Sequence, residues 1–289
     1  MDAGTADQAG RIVLVATPIG NLGDLSPRAL ETLTAADVVA AEDTRRTGRL
    51  LAHHGLMRPL VRLDDHTERA RSPELVDRAA QGQTVVVVTD AGMPGISDPG
   101  HVIVRVAIDR GVPVELIPGP VAAVHALVLS GLPTDRFVFE GFLPRRPGRR
   151  RHHAAALAEE RRTIVCYLSP HRAADELDDL AAALGDDRPA ALARELTKLH
   201  EQVLRAPLAE LAALVRREGI RGELTLVVAG APDPGAVRDV PPDDAELVGR
   251  VRELIATGMA RNAAVATVAR ATGVSRRRVY DATVAARER

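Results

Sequence analysis

The first 133 residues alternate between short apolar runs and amphipathic stretches. QTVVVV at 83–88 and RIVLVA at 11–16 are rich in β-branched residues without a polar alternation, which predicts strands buried on both faces of a sheet. Two helices are predicted to begin at Ser-Pro pairs, in SPRALETLTAAD (26–37) and SPELVDRAAQG (72–82), because serine caps a helix and proline fits its first turn. This alternation predicts an α/β domain with a mostly parallel sheet over residues 1–133.

The pattern changes at GLPTDR (131–136). Strand-like and helix-like segments continue through residues 134–232, which predicts a second α/β domain of about a hundred residues, a usual domain size. APDPGAVRDVPPDDAE (231–246) has the composition of a linker, so residues 233–289 are predicted to be a linker and a helical tail. Two short helices joined at TGVS in the tail resemble a helix-turn-helix, although a small capping bundle explains the same pattern. The predicted fold class is α/β, with two α/β domains and a helical C-terminal extension.

Composition narrows the class of protein. Of 289 residues, 46% are hydrophobic and 27% are charged, as in an ordinary globular protein. There is no apolar run of the roughly 18 residues that a membrane helix needs, and no signal-peptide pattern, so we expect a cytoplasmic protein. The single cysteine, Cys166, is expected in the core and excludes an internal disulfide. The His-His pairs lack the spacing of zinc ligands, so we predict no metal site.

The net charge of −1 conceals two basic clusters, RRPGRRRHH (145–153) and RRR (276–278). Such clusters either bind nucleic acid or form a solvated charged surface. The chain has 3 phenylalanines, 2 tyrosines and no tryptophan, too few for a surface that stacks nucleic-acid bases. A bound polyanion would therefore be held mainly through its phosphates.

Residues 89–100, TDAGMPGISDPG, follow the most strongly predicted strand. Ligands of open α/β sheets bind outside the carboxyl ends of the strands, where such loops lie. Asp90 can accept hydrogen bonds from a hydroxyl or ammonium group, whereas Asp98 is expected to cap the next helix. The segment is longer than a simple connection needs, so we predict a ligand-binding loop.

Two further loops follow predicted strands, TPIGNLGDLS (17–26) and IPGPVAAV (117–124). Neither matches the glycine-rich motifs of dinucleotide or ATP sites. The three loops are expected to converge on one pocket, because the carboxyl ends of parallel strands meet at one edge of a sheet. Another segment, ELTKLHE (195–201), is explained either as part of this site or as the polar start of a helix.

The segment AAEDTRRTGRLL places two acidic residues, Glu42 and Asp43, before two basic ones, Arg45 and Arg46, at a predicted strand-to-helix junction. Asp43 or Thr44 could cap the helix. A cap explains only one of the two acids, so the junction is a second candidate for site chemistry.

Several segments resemble, in their order along the chain, the branch of the tetrapyrrole methylase superfamily that modifies small-subunit ribosomal RNA; they are ATPIGNLGDLSPRAL, AAEDTRRTGRLL, TDAGMPGISDPG, IPGPVAAV, GLPTDRFVFEGFLPRR, SPHR and ARELTKLHEQV. The resemblance covers residues 12–231, and the tail is similar to a helical extension of the same proteins. It implies two α/β domains with S-adenosylmethionine in the cleft between them. It also implies a homodimer that methylates the ribose 2′-hydroxyl of a decoding-centre cytidine in 16S rRNA, within the small ribosomal subunit.

The resemblance also implies roles for single residues. The cofactor is expected at Pro18, Gly20, Asp90, Gly92, Met93, Pro94, Val121, Ala122, Leu168 and Thr197. For an RNA substrate, positive charge and position make the following residues the expected phosphate contacts: Arg45, Arg46, Arg145, Arg146, Arg149, Arg150, Arg151 and Lys198. The chain departs from the family pattern at Met93, where threonine is usual, at Leu168, where glutamate is usual, and at Asp64 and Thr67.

A ribose hydroxyl is a very weak acid, so a carboxylate that accepts its proton would speed methyl transfer. Glu42 and Asp43 are the predicted catalytic residues. Two other functions are open: methylation of a porphyrin-like small molecule by the same fold, and a non-catalytic RNA-binding role in ribosome assembly.

Overall fold

The first sheet is built from the apolar runs that predict buried strands. The computed structural model describes residues 10–232, 242–272 and 274–286. The five strands are β1 (Arg11–Val15), β2 (Val38–Ala41), β3 (Leu60–Arg62), β4 (Thr84–Val88) and β5 (Val114–Ile117). All pair in parallel, in the order β3-β2-β4-β1-β5. Val85 and Val87 pack on one face and Val86 and Val88 on the other, so β4 is buried on both sides as predicted.

Helices alternate with these strands, as the sequence predicts. They are α1 (Pro27–Ala35), α2 (Thr44–His53), α3 (Glu68–Ala80), α4 (His101–Asp109) and α5 (Ala122–Ser130). Ser26 Oγ accepts a hydrogen bond from the backbone N–H of Ala29 at 3.1 Å, and Pro27 opens the first turn. The predicted cap of α1 is therefore confirmed.

The predicted start of α3 is wrong. The helix begins at Glu68 rather than at the Ser-Pro pair, and Pro73 lies inside it. A turn starts the helix early, because Asp64 Oδ1 accepts hydrogen bonds from the backbone N–H and the hydroxyl of Thr67, at 2.9 and 2.8 Å. Asp64 and Thr67, two departures from the family pattern, thus bond to each other.

The connections of the first sheet diverge between β1 and β4. From β1 the chain passes to β2 on the far side of β4, and from β4 it passes to β5 on the far side of β1. In open parallel sheets this divergence leaves a crevice at the carboxyl ends of the strands, where ligands bind. The loops after β1 and β4 border that crevice.

The second sheet is mixed. Its strands are β6 (Phe137–Phe142), β7 (Thr163–Leu168), β8 (Pro189–Arg194), β9 (Gln202–Pro207) and β10 (Leu224–Val228). Their order is β6-β7-β10-β8-β9, and only the β6–β7 pair is parallel. The sequence pattern does not predict β9, because Gln202 and Arg205 are exposed on this edge strand and no continuous apolar run marks it.

Helix α5 covers the second sheet although it follows the last strand of the first. Ala126 and Leu127 pack with Val165 and Val227 in one buried cluster. The other face is covered by α6 (Pro147–Ala156), α7 (Ala173–Leu184) and α8 (Leu208–Glu218). The predicted boundary after residue 133 therefore assigns α5 to the first domain by sequence, while its side chains pack in the second.

The described residues that follow Ala231 form a separate compact unit. It contains α9 (Asp244–Ala256), α10 (Arg261–Thr272) and α11 (Arg276–Ala285), which share a core that includes Leu247, Val268 and Val279. The helical tail is confirmed, while most of the predicted linker, 233–241, lies outside the described residues, as does Gly273 of the TGVS segment. Within the described ranges, no helix is long and apolar enough to cross a membrane.

Candidate active site

A cavity of about 340 Å³ lies between the two sheets at the carboxyl ends of β1, β2 and β4; we call it the inter-sheet cavity. The three predicted loops contribute Ile19, Asp98 and Ala122 to one wall, and β7 contributes Tyr167 and Leu168 to the other. The volume falls within the roughly 300–1,000 Å³ of small-molecule sites. The expected convergence of the three loops is therefore observed.

The loops after β1 and β4 are joined through their backbones. Thr17 and Gly92 exchange two N–H···O=C hydrogen bonds, at 2.9 and 3.0 Å, and the Thr17 hydroxyl donates to the carbonyl of Thr89 at 3.2 Å. Gly92 has a φ of +84°, which favours glycine, and a Cβ there would lie 3.3 Å from Cγ2 of Ile19. These bonds hold together the two loops that contribute Ile19 and Ala91 to the cavity lining.

The loop after β1 also packs against residues 195–201. A Cβ on Gly20 would lie 2.8 Å from Thr197 Oγ1, so only glycine permits this approach. Glu195 and Thr197 have φ values of +51° and +65°, so the segment is a tight turn and its interpretation as the start of a helix is wrong. Thr197 Oγ1 is buried, and no group in the described part of the chain hydrogen-bonds to it.

Glu42 and Asp90 tie the ends of β2 and β4 together. Glu42 Oε2 accepts a hydrogen bond from the backbone N–H of Asp90 at 3.3 Å, and Asp90 Oδ1 accepts one from the backbone N–H of Asp43 at 3.0 Å. Asp90 Oδ2 pairs with Arg46 at 3.3 Å. Burial raises the pKa of Glu42 above its ordinary value, with the charge of Asp90 adding to the effect.

Asp43 is the N-cap of α2. Its Oδ1 accepts a hydrogen bond from the backbone N–H of Arg45 at 2.8 Å, and its Oδ2 pairs with the Arg45 guanidinium, also at 2.8 Å. The side-chain hydrogen bond from Arg45 holds the pKa of Asp43 well below its usual range. A carboxylate that binds protons so weakly is a poor base, so we drop Asp43 from the catalytic candidates.

Asp98 does not cap α4, contrary to the sequence-based expectation. The N-cap position belongs to Gly100, which has no side chain to cap with. Asp98 instead lines the inter-sheet cavity, and within the described residues its side chain makes no hydrogen bond or ion pair. Burial, followed by the charges of Glu42 and Asp90, raises the pKa of Asp98 to about 7.

A buried side chain from α3 does the capping. Glu68 is 6% exposed, and its Oε1 accepts hydrogen bonds from the backbone N–H groups of Gly100 and Val102, at 2.7 and 3.0 Å. The first backbone N–H groups of a helix have no carbonyl in a preceding turn to donate to, and Glu68 supplies the acceptor for two of them. Glu68 thereby fixes the end of the loop that carries Asp98.

The other expected cofactor positions divide into groups. Asp90, Ala122 and Leu168 line the inter-sheet cavity. Pro18 lines a neighbouring cavity of about 210 Å³, which Asp90 also borders. Six expected positions line neither of these two cavities: Gly20, Gly92, Met93, Pro94, Val121 and Thr197.

An aromatic group that the sequence analysis did not single out borders the cavity. Tyr167 and Phe142 both line it, and their ring centroids are 5.3 Å apart. Phe139 packs against Tyr167 at 5.1 Å in an edge arrangement. In the sequence, this role of Tyr167 is indicated only by its position next to Leu168, an expected cofactor position. Such rings offer a flat apolar face to a planar ligand group.

The predicted phosphate-binding residues also divide. Four are exposed near the start of α6: Arg145, Arg146, Arg149 and Arg151. Arg150 is 4% exposed, and its Nε pairs with Asp179 Oδ2 at 2.6 Å. It therefore holds α6 to α7, and its predicted contact with RNA is wrong because the side chain is buried. Lys198 Nζ pairs with Glu195 and Glu223, each at 3.0 Å, which offsets its charge. Arg45 is bound to Asp43, and Arg46 lines both cavities.

Comparison with known proteins agrees with this geometry. A family model described as Tetrapyrrole (Corrin/Porphyrin) Methylases matches residues 11–212. A protein of Synechocystis sp. named ribosomal RNA small subunit methyltransferase I is 44% identical over 272 residues, covering 94% of this chain and 96% of the relative. A Mycobacterium tuberculosis protein of the same name is 46% identical over 282 residues, covering 96% of each chain.

Solved structures show the same fold. Two structures of uroporphyrin-III C-methyltransferase from Thermus thermophilus are 25% and 24% identical, with TM-scores of 0.57 and 0.53. Each covers 76% of this chain, with 94% and 97% of its own chain matched, and the second is a complex with S-adenyl homocysteine. The chain belongs to the tetrapyrrole methylase family and, within it, to the group named ribosomal RNA small subunit methyltransferase I.

Proposed function

We propose that the chain is an S-adenosylmethionine-dependent methyltransferase that methylates the ribose 2′-hydroxyl of a decoding-centre cytidine in 16S rRNA. The observation that carries the proposal is the inter-sheet cavity, where three strand-end loops meet carboxylates and an aromatic wall in one place. The names of relatives that are 44% and 46% identical over nearly the whole chain support the rRNA substrate. Such a substrate also favours the cytoplasm as the site of action.

The residues present fit the cofactor. The buried Thr197 hydroxyl, which lies against Gly20 of the loop after β1, has no partner among the described residues, and a polar group of the cofactor would supply one. Ile19 and Leu168 give the cavity an apolar surface. Glu42 and Asp90 place negative charge in the same cavity, which favours the positively charged sulfonium of the cofactor. When bound, S-adenosylmethionine supplies an electrophilic methyl group on a sulfonium.

The chain's own contribution to the reaction is alignment and proton handling. The backbone link between Thr17 and Gly92 and the cap from Glu68 fix the loops that border the cavity. A fixed arrangement of acceptor and methyl carbon removes much of the entropic barrier to displacement. The acceptor hydroxyl also needs a carboxylate to take its proton, and Asp43 is unsuited to this role because it caps α2 and pairs with Arg45.

The exposed arginines in the first half of α6 and just before it are the proposed phosphate contacts. Arg145, Arg146, Arg149 and Arg151 present four charges on one short segment next to β6, whose residue Phe142 lines the cavity. Each phosphate neutralised on a single strand contributes a slope of about −0.7 to the dependence of binding on salt.

We propose a homodimer as the working form. Val124 and Val128, one helical turn apart on α5, are 46% and 64% exposed, and Leu116 on the edge strand β5 is 51% exposed. A second copy that covered these side chains would remove apolar surface from water. Sedimentation of the wild type and of Val128→Glu tests the proposal, which predicts a dimer for the first and a weakened dimer for the second.

The function is tested by mapping the modification. Purified protein is incubated with labelled S-adenosylmethionine and one of three substrates: naked 16S rRNA, assembled small subunits that lack the modification, or uroporphyrinogen. The expected product is one ribose-methylated cytidine in the decoding centre, read as a backbone bond resistant to alkali. Label on a base, label on added uroporphyrinogen, or no label in any arm would contradict the proposal.

A further inference from the structure

The geometry of the loop over residues 89–100 fixes where Asp98 lies. The backbone N–H of Gly95 donates to the carbonyl of Pro99 at 3.0 Å, which closes a turn around Asp98. Gly100 has a φ of +142°, and a Cβ there would lie 2.8 Å from the Gly95 nitrogen, so the turn requires glycine. With Glu68 bound on the other side, the loop holds Asp98 at the cavity wall.

Within the described ranges, Asp98 is the acidic residue of the cavity whose side chain has no hydrogen-bond or ion-pair partner. Glu42 accepts a hydrogen bond from a backbone N–H, Asp90 accepts one and pairs with Arg46, and Glu223 pairs with Lys198. Among the described residues, the carboxylate oxygens of Asp98 make neither kind of contact. Its lone pairs are therefore free to accept a proton from a molecule in the cavity.

The charges around Asp98 are mostly negative. Glu42, Asp90, Asp65 and Glu223 act on it from four separate segments, each disfavouring its ionised form. Two other groups line the same cavity: the guanidinium of Arg46, which is paired with Asp90, and the phenol of Tyr167, whose pKa is raised by burial. The pKa of Asp98, about 7, follows from burial first and from these carboxylates second. A carboxylate with a pKa near 7 is ionised in about half of the molecules at neutral pH. It is also a stronger base than an ordinary aspartate, which suits it to accept a proton.

We infer that Asp98 is the catalytic base that takes the proton from the methyl-acceptor hydroxyl. The inference rests on the proposed function, and it replaces Glu42 and Asp43 in that role. In the balanced step the oxygen–hydrogen bond of the acceptor breaks and the proton goes to a carboxylate oxygen of Asp98. The oxygen's electron pair forms the new bond to the methyl carbon, and the pair of the broken carbon–sulfur bond goes to sulfur. Glu42 is a positioning residue, which holds Asp90 and keeps the proton affinity of Asp98 high.

The first test measures Asp98 directly. Protein labelled with [13Cγ]aspartate is titrated by 13C NMR without any ligand, and the Asp98 resonance is identified by its absence in Asp98→Asn. A midpoint between about pH 6 and 8 is expected, whereas titration below about pH 5, as for an ordinary aspartate, overturns the inference.

The second test measures the reaction. Single-turnover methylation of the RNA by the wild type should rise with pH through a midpoint near 7. Asp98→Asn should slow transfer by about 10²- to 10⁴-fold and remove this dependence, with cofactor affinity by calorimetry unchanged within a few-fold. Asp98→Glu should restore part of the rate together with a pH dependence. Asp109→Asn, which removes an exposed carboxylate paired with Arg105 at the end of α4, is the matched control and should leave activity unchanged.

The outcomes separate the two proposals. Wild-type protein that methylates no ribose overturns the proposed function. An active wild type with an equally active Asp98→Asn variant overturns only the role of Asp98. A variant that loses cofactor affinity in proportion to its rate makes Asp98 a cofactor ligand and also overturns its role as base.

Discussion

The junction after β2 and the loop after β4 each place an aspartate before a helix, and the two aspartates have opposite roles. Asp43 is bound by the start of its own helix and by Arg45. Asp98 is released from capping, because Glu68 from another helix binds the N–H groups of α4 in its place. An acidic residue before a helix thus caps it only where no other side chain has already taken the donors.

The largest change in stability is expected at α6, where Arg150 is buried in an ion pair and its neighbour Arg149 is exposed. Arg150→Met should lower the free energy of unfolding by about 3 kcal/mol, since it leaves Asp179 unpaired. Arg149→Met should leave stability unchanged and reduce the salt slope of RNA binding by about 0.7. Urea denaturation and RNA titrations at several salt concentrations measure the two effects. Equal losses of stability for both variants would contradict the assignment of a structural role to Arg150 and an RNA-binding role to Arg149.

Removal of Glu68 should uncap α4 and loosen the loop that carries Asp98. Glu68→Ala leaves two backbone donors of α4 without their acceptor, so we expect a loss of about 2–3 kcal/mol in the free energy of unfolding. The rate of methyl transfer should fall as well, because the loop that carries Asp98 loses its anchor. Urea denaturation and single-turnover rates check both, with Glu74→Ala, exposed on the same helix, as the control. Unchanged stability would mean that Glu68 does not cap α4.

The two aspartates should change stability with pH in opposite directions. Folding lowers the pKa of Asp43, so its contribution is present at neutral pH and lost as pH falls below about 4. Folding raises the pKa of Asp98 from 3.8 to about 7, so its contribution is present at low pH and lost as pH rises between these values. Melting temperatures at pH 4 and 8 should therefore show Asp43→Asn less stable than the wild type at pH 8 and Asp98→Asn more stable there. The same sign for both variants would contradict the comparison.

The smallest effect is expected from Glu42. Glu42→Gln removes one of the negative charges that raise the pKa of Asp98, so the midpoint of its titration should move to lower pH by a fraction of a unit. The 13C titration of Asp98 measures this shift. A shift to higher pH would mean that Glu42 acts on Asp98 through something other than its charge.

Much of the fold is readable from local chemistry. The valines of β4 and the Ser26-Pro27 start of α1 are confirmed, because a strand buried on both faces and a capped helix each follow from their own residues. The start of α3 and the edge strand β9 are missed, because the first is set by the Asp64–Thr67 turn and the second by pairing with β8.

The site is only partly readable from the sequence. The three loops are marked by glycine and proline after strands, and they do converge. The role of Asp98 depends on Glu68, which is 30 positions away in the sequence, and the aromatic wall depends on Tyr167 from the second sheet. Contacts between distant segments decide both, and no local pattern encodes them.

The position of α5 has a consequence for how the chain can be divided. A fragment that stops at residue 133 would carry α5 with Ala126 and Leu127 facing water, and the remaining piece would expose Val165 and Val227. Each fragment would expose apolar side chains that the intact chain buries, so we expect the two α/β halves to unfold and to be degraded together. A truncated gene product would be an aggregation hazard rather than a working half-enzyme.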